Sequence, residues 1–316
     1  MGGRDVMSTM GRVLVTGATG CVGHLALRKL VEHGWDVVGV RSKKAGDEAA
    51  GVTWMQANLL DPADVRRVVA DSRASHLLHL AWNIEPGKWV AAPENVSWVR
   101  ASLDLLTEFR QAGGARAVSA GSCLEYDWSY GYCVEDRTPL APHTLYGTCK
   151  HALQLVTTAL GEGDGFSTAW GRIFFLYGPG EHPDRLVASV IRSILAGEPA
   201  RTSHGRQVRD YLYADDVADA FVRLLESDVT GPINIGSGRP VELREIVLQI
   251  GELMGRPELI QLGAIPPAST DTPLVVADTG RLTSRLAWTP AWTLARGLEA
   301  SIDWWRAREL RTGGVK

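Results

Sequence analysis

The first apolar run of the chain, Val13-Leu14-Val15, has no polar interruption and stops at Thr16-Gly17, as a strand buried on both faces does. From Val22 the apolar positions take a helical period that ends at Gly34. The strand pattern returns at Trp35 to Val40, Val52 to Asn58, Ser75 to Ala81 and Ala115 to Ser122. Helical stretches fall between them, one after Asp61 and one from Glu94 to Gly113. Asp61 is placed to cap the first of these, with Pro62 at its first position. Strands alternating with helices of this length predict right-handed crossovers and an α/β fold, a doubly wound parallel sheet covered on both faces.

After about residue 170 the pattern loosens. Phe166 to Gly180 reads as one more strand, followed by Pro- and Gly-rich turns and helical stretches near 184–197, 214–227 and 241–255. This divides the chain into a dinucleotide-binding part over 11–170 and a smaller C-terminal lobe over 171–310, interleaved with the end of the sheet. Residues 1–10 form a loose tail. A Gly/Ser linker is absent, so the two parts are expected to pack as one body around a cleft.

Composition narrows the function. Hydrophobic residues at 45% and charged residues at 22% exclude disordered and fibrous classes. Lys plus Arg is 33 against 36 for Asp plus Glu, a net charge of -3, which leaves no basic surplus for nucleic acid. The four cysteines lack CxxC spacing, which removes zinc and disulfide-scaffold readings and fits reduced thiols in the cytoplasm. No apolar run reaches the ~18 residues of a membrane helix, and no His, Asp or Glu spacing suggests a metal site.

Gly17, Thr19, Gly20, Cys21, Val22 and Gly23 sit where the first strand turns into the first helix. Helix amides can hold a pyrophosphate there, and glycines let the backbone approach it, so a dinucleotide is expected. The end of the second strand selects the cofactor, since a carboxylate binds the ribose 2′-hydroxyl whereas an arginine accommodates a 2′-phosphate. Here it reads Arg41-Ser42-Lys43-Lys44, which favours NADP(H) over NAD(H).

Tyr146 and Lys150 lie four apart on a helical stretch, so their head groups can approach a common point. The ammonium and a nicotinamide cation both lower a phenol's pKa, suiting Tyr146 to exchange a proton at neutral pH. Ser122, at the end of the fifth strand, can hold a substrate carbonyl. His79 reads as a core histidine; Trp82, Trp89, Trp98 and Trp128 fall in or near loops that border the cleft, and of these Trp82 and Trp128 are the better placed to stack on cofactor or substrate.

Together the TGATGCVG loop and YGTCK motif resemble the extended short-chain dehydrogenase/reductase family, the branch of nucleotide-sugar epimerases, dehydratases and reductases. HLAW at 79–82, YGPG at 177–180, RDYLYADDVADA at 209–220, INIGSG at 233–238 and LAWTP at 286–290 follow in the family's order. The resemblance implies catalytic Ser122, Tyr146 and Lys150, with Lys150 also on the nicotinamide ribose. It implies Asn58 and Leu59 near adenine, Leu80, Ala81 and Trp82 along the cofactor, and Arg209 on the substrate diphosphate. It also implies a homodimer through the helices of Val96 to Phe109 and Tyr146 to Leu160.

Two departures bear on the reaction. The family's dehydratases carry an Asp-Glu pair directly after the strand-end hydroxyl residue, but Ser122 is followed by Cys123-Leu124, with Glu125 one position late. Phe175 stands where many members place an asparagine, and Cys123 and Phe175 are expected to make apolar contact with the substrate. An enzyme that uses and releases NADPH performs net reduction, whereas the family's epimerases and dehydratases retain NAD and return the hydride. The cofactor choice therefore points to an NADPH-dependent ketoreductase acting on a nucleotide-diphosphate 4-keto-6-deoxy sugar. The alternatives are an NAD-dependent 4-epimerase or 4,6-dehydratase, and a cofactor-sensing regulator, against which the Ser122, Tyr146 and Lys150 set speaks.

Overall fold

A computed structural model describes residues 10–42, 49–162, 165–266 and 272–313. The first nine residues of the tail, Lys43 and Lys44 lie outside the described residues. The chain begins β1 (Arg12–Thr16), α1 (Cys21–Glu32), β2 (Asp36–Arg41), β3 (Val52–Gln56), α2 (Pro62–Ser72), β4 (His76–His79), α3 (Glu94–Gln111) and β5 (Arg116–Ser122). It continues through β6 (Tyr132–Cys133), α4 (Leu145–Gly161), β7 (Ser167–Ile173) and β8 (Phe175–Tyr177). The C-terminal part holds α5 (Leu186–Leu195), β9 (Ala200–Arg201), β10 (Val208–Tyr213), α6 (Ala214–Glu226), β11 (Gly231–Ile235), β12 (Pro240–Glu242) and α7 (Leu243–Leu253). It ends with β13 (Ile260–Gln261), β14 (Leu274–Ala277), α8 (Gly280–Leu286) and α9 (Leu294–Gly313).

The main sheet has seven strands in the order β11-β7-β5-β4-β1-β2-β3, every pair parallel. Within it β1 and β2 carry nearly continuous apolar runs because both faces are covered. On one face α1 and α6 bury Leu27, Leu30, Phe221 and Leu224 against Val13 and Val15. On the other, α2, α3 and α4 bury Val68, Leu105, Phe109 and Leu153 against Leu14 and Leu77. Asp61 caps α2 by accepting from Ala63 N at 2.9 Å, with Pro62 in the first turn, as its sequence position predicts. His79 is buried between Thr16 Oγ1 at 2.7 Å and Ser102 Oγ at 2.8 Å, a core histidine whose burial pulls its pKa down to about 3 and keeps it neutral.

The single strand expected over Phe166 to Gly180 is two. β7 lies in the main sheet between β5 and β11, whereas β8 pairs with β10 in a second sheet ordered β12-β10-β14-β6. The break falls at Phe174, whose N–H donates to Ile235 O at 3.0 Å while the chain passes between sheets. A run of apolar residues carries the same periodicity whichever sheet receives it, so the sequence pattern does not mark the crossing. This crossing sets β8 and its neighbours opposite the ends of β1, β4 and β5, with a cavity of about 1280 Å³ between them.

Candidate active site

The cavity runs over the carboxyl ends of β1, β2, β4 and β5, the place where open parallel sheets bind ligands. Gly17, Thr19, Gly20, Cys21, Val22 and Gly23 all line it. Gly17 has φ +68°, and a Cβ there would meet Ala81 N at 2.7 Å. A Cβ on Gly23 would collide with Gly17 O, so the loop closes on itself only with glycine at both positions. No side chain caps the first turn of α1. Its amides therefore meet the cavity bare of any side-chain acceptor, as an anion site at a helix N-terminus requires. The glycine cradle and this helix end fit a dinucleotide pyrophosphate.

Asn58, Leu59, Leu80, Ala81 and Trp82 line the same cavity, as does Ser42. Arg41 is not among the lining residues, although Val40 and Ser42 on either side are. Its guanidinium lies over the Trp54 ring at 5.3 Å.

Ser122, Tyr146 and Lys150 come together at the floor of the cavity. Ser122 ends β5, and Tyr146 and Lys150 sit on the first turns of α4, whose N-terminus is capped by Thr144 Oγ1 accepting from Gly147 N at 3.0 Å. Burial pushes the Tyr146 phenol pKa up, while the neighbouring Ser122 side chain pulls it the other way. Lys150 Nζ donates to Ala120 O at 2.8 Å and lies 5.9 Å from the Tyr146 ring centre. Burial lowers the Lys150 pKa to about 7, opposed by the negative charge of Glu125. The group can thus present a protonated phenol, a polarising hydroxyl and an ammonium to one bound carbonyl.

Glu125 lies in a short helical turn after Ser122 and is turned away from the cavity, with its side chain fully buried. It accepts from Ser122 N at 2.8 Å, Trp170 Nε1 at 2.9 Å and Arg172 Nε at 2.7 Å. Arg172 continues the chain to Tyr126 OH at 3.0 Å, which donates to Asn234 Oδ1 at 2.8 Å. Glu125 therefore holds the end of β5 from below. Sequence reasoning set this residue aside, although the Ser122-x-x-Glu125 capping-box spacing was the available signal.

Cys123 and Phe175 line the cavity, and burial drives the Cys123 thiol pKa well up, which makes it a small apolar contact rather than a thiolate. Arg209 is not among the lining residues. It is buried behind the wall, its guanidinium 5.5 Å from the Phe175 ring centre and 5.9 Å from that of Trp128, with Nη1 donating to Val208 O at 2.9 Å. Trp89 lines the cavity and meets Tyr146 edge-on at 4.5 Å, and Tyr146 N donates to Val90 O at 3.1 Å. Glu181 also lines the cavity, its pKa raised to about 8 chiefly by burial. Among the described residues no cluster of three or more His, Cys, Asp or Glu side chains could hold a metal ion, and no helix is long and apolar enough to cross a membrane.

The model of the "NAD dependent epimerase/dehydratase family" matches residues 13–236. The UDP-glucose 4-epimerase of Corynebacterium glutamicum is 27% identical, over 89% of this chain and 92% of its own. The solved structure of MoeE5 in complex with UDP-glucuronic acid and NAD is similar at a TM-score of 0.82 and 30% identity, covering 94% of this chain and 100% of that one. That of the Thermus thermophilus UDP-glucose 4-epimerase in complex with NAD is similar at 0.83 and 26%, covering 93% and 99%.

Proposed function

The chain belongs to the NAD dependent epimerase/dehydratase family, and from that premise we propose that it moves hydride and a proton at the C4 of a nucleotide-diphosphate hexose. The net reaction is reduction of a 4-keto-6-deoxy sugar by NADPH. The observation that carries the reading is the meeting of Ser122, Tyr146 and Lys150 beside a wall of Cys123, Leu124 and Phe175 that follows Ser122 without a carboxylate. Glu125, the one acid next in sequence, is committed to Arg172 in the interior. That arrangement supports carbonyl chemistry and speaks against elimination of water. An apolar wall also complements a sugar that has lost its 6-hydroxyl.

The nicotinamide, when bound, supplies the hydride. The protein's part is to align the ketone by Ser122 and to deliver the Tyr146 proton to the oxygen as it gains charge. Burial favours the protonated phenol, the form that reduction needs. The cavity exceeds the ~300 to 1,000 Å³ of a site for one drug-sized ligand, which supports two large occupants, a dinucleotide and a nucleotide sugar. Free cysteines support a reducing cytoplasmic setting.

Adding a nucleotide-diphosphate 4-keto-6-deoxy sugar and NADPH to the protein is expected to consume one NADPH per sugar reduced. Arg41→Ala is expected to weaken NADPH about 10- to 150-fold while leaving NADH nearly unchanged, because a charge-assisted pair to the 2′-phosphate is worth ~1.5 to 3 kcal/mol. The triple change with Lys43→Ala and Lys44→Ala measures compensation by the neighbouring charges. If the wild-type protein binds both cofactors equally and the triple variant leaves their ratio alone, the reductase reading fails. A second reading, a 4-epimerase retaining NAD, has its own support. The relatives of 26–30% identity include UDP-glucose 4-epimerases and an NAD complex, and Arg41 lies on Trp54. NAD carried through purification, with interconversion of UDP-glucose and UDP-galactose, is the result that selects it.

A homodimer through α3 and α4 is part of the same reading. Val96 on α3 and Leu155 and Val156 on α4 are exposed apolar side chains that a second copy would cover. Light scattering is expected to give twice the mass of one chain, and Leu155→Glu with Val156→Glu to give a single chain.

A further inference from the structure

The Trp82 indole face covers the Lys150 ammonium, with Nζ 3.9 Å from the ring centre. Trp82 lies in the loop after β4, and its contacts with Asn95 and Trp98 fix its orientation. Its Nε1 donates to Asn95 Oδ1 at 2.8 Å. The Asn95 amide in turn donates to Trp89 O at 2.7 Å and Ala92 O at 2.9 Å, so this buried side chain has both functions satisfied. The indole also stacks on Trp98 at 6.1 Å and 30°.

We propose that Trp82 is a positioning residue, clamped by Asn95, whose ring face keeps the Lys150 ammonium charged and seated beside Tyr146. A cation loses hydration on burial, and the negative face of an indole replaces part of it. Other groups facing Lys150 divide by element. Glu125, in the turn after β5, favours the charge, though it is shared with Arg172 of β7. His79 of β4 is neutral, Tyr146 on the same helix is protonated, and the Trp170 ring of β7 stands further off at 5.9 Å. Burial already brings the Lys150 pKa to about 7, so a modest loss of support changes its charge at neutral pH.

The functional meaning of this inference rests on the proton-donating role proposed for Tyr146, but its test needs no substrate. Trace acetylation with acetic anhydride across the neutral and alkaline range, followed by mass spectrometry of the Lys150 peptide, reads the midpoint of that amine directly. Trp82→Leu is expected to lower the midpoint by about 0.4 to 1.5 pH units, the shift that corresponds to a cation–π contact of ~0.5 to 2 kcal/mol. Trp82→Phe, which keeps a weaker ring face but loses the bond to Asn95, is expected to lower it by less. An unchanged midpoint in Trp82→Leu overturns the proposal. Should that variant not fold, an unchanged midpoint in Trp82→Phe overturns it and a fall supports it.

Discussion

Tyr146→Phe is expected to lower turnover by about 10²- to 10⁴-fold, the loss typical of removing a general acid, while cofactor affinity stays nearly the same. The phenyl ring keeps the edge-on contacts with Trp89 at 4.5 Å and Trp82 at 6.1 Å, and the backbone bond from residue 146 to Val90 O is untouched. What disappears is the buried hydroxyl beside Ser122. Ser122 and Lys150 do not replace it, since a hydroxyl of ordinary acidity is a poor proton donor near neutrality and Lys150 Nζ is directed to Ala120 O at 2.8 Å. Single-turnover reduction with NADPH prebound separates the two effects: the hydride step slows while a fluorescence titration of NADPH does not move. Wild-type turnover in the variant removes Tyr146 from the mechanism.

Arg172→Met is expected to cost about 3 to 5 kcal/mol of folding stability, because it leaves the Glu125 carboxylate buried without its cation. Both side chains of this pair are 0% exposed. The pair lies directly beneath the site, Glu125 accepting from Ser122 N at 2.8 Å, so the same change is expected to loosen Ser122 and reduce turnover. Urea unfolding measures the first effect. The double variant Glu125→Gln with Arg172→Met removes the orphaned charge and is expected to recover part of the loss, as partners in direct contact do in a mutant cycle. A single variant as stable as wild type shows that the pair is not what holds the end of β5.

Much of the molecule was legible without coordinates. The alternation of two-sided apolar runs with helical period foretold the doubly wound sheet, and Asp61-Pro62 marked the start of α2, because periodicity and caps report local burial and local hydrogen bonding. The glycine loop and the four-residue step from Tyr146 to Lys150 were readable for the same reason: each lies within a few residues of chain. Contacts between distant segments were not readable. Nothing near Arg41 announces that its guanidinium rests on Trp54, nor near Arg209 that it is held behind Trp128 and Phe175. Glu125 finds Arg172 across 47 positions, and Trp82 covers Lys150 across a longer stretch still. A side chain's size and chemical type are set by its own residue. Which partner it meets is set by the order in which the strands enter the sheets, and the chain left the main sheet at Phe174 with no change in apolar period to mark the turn.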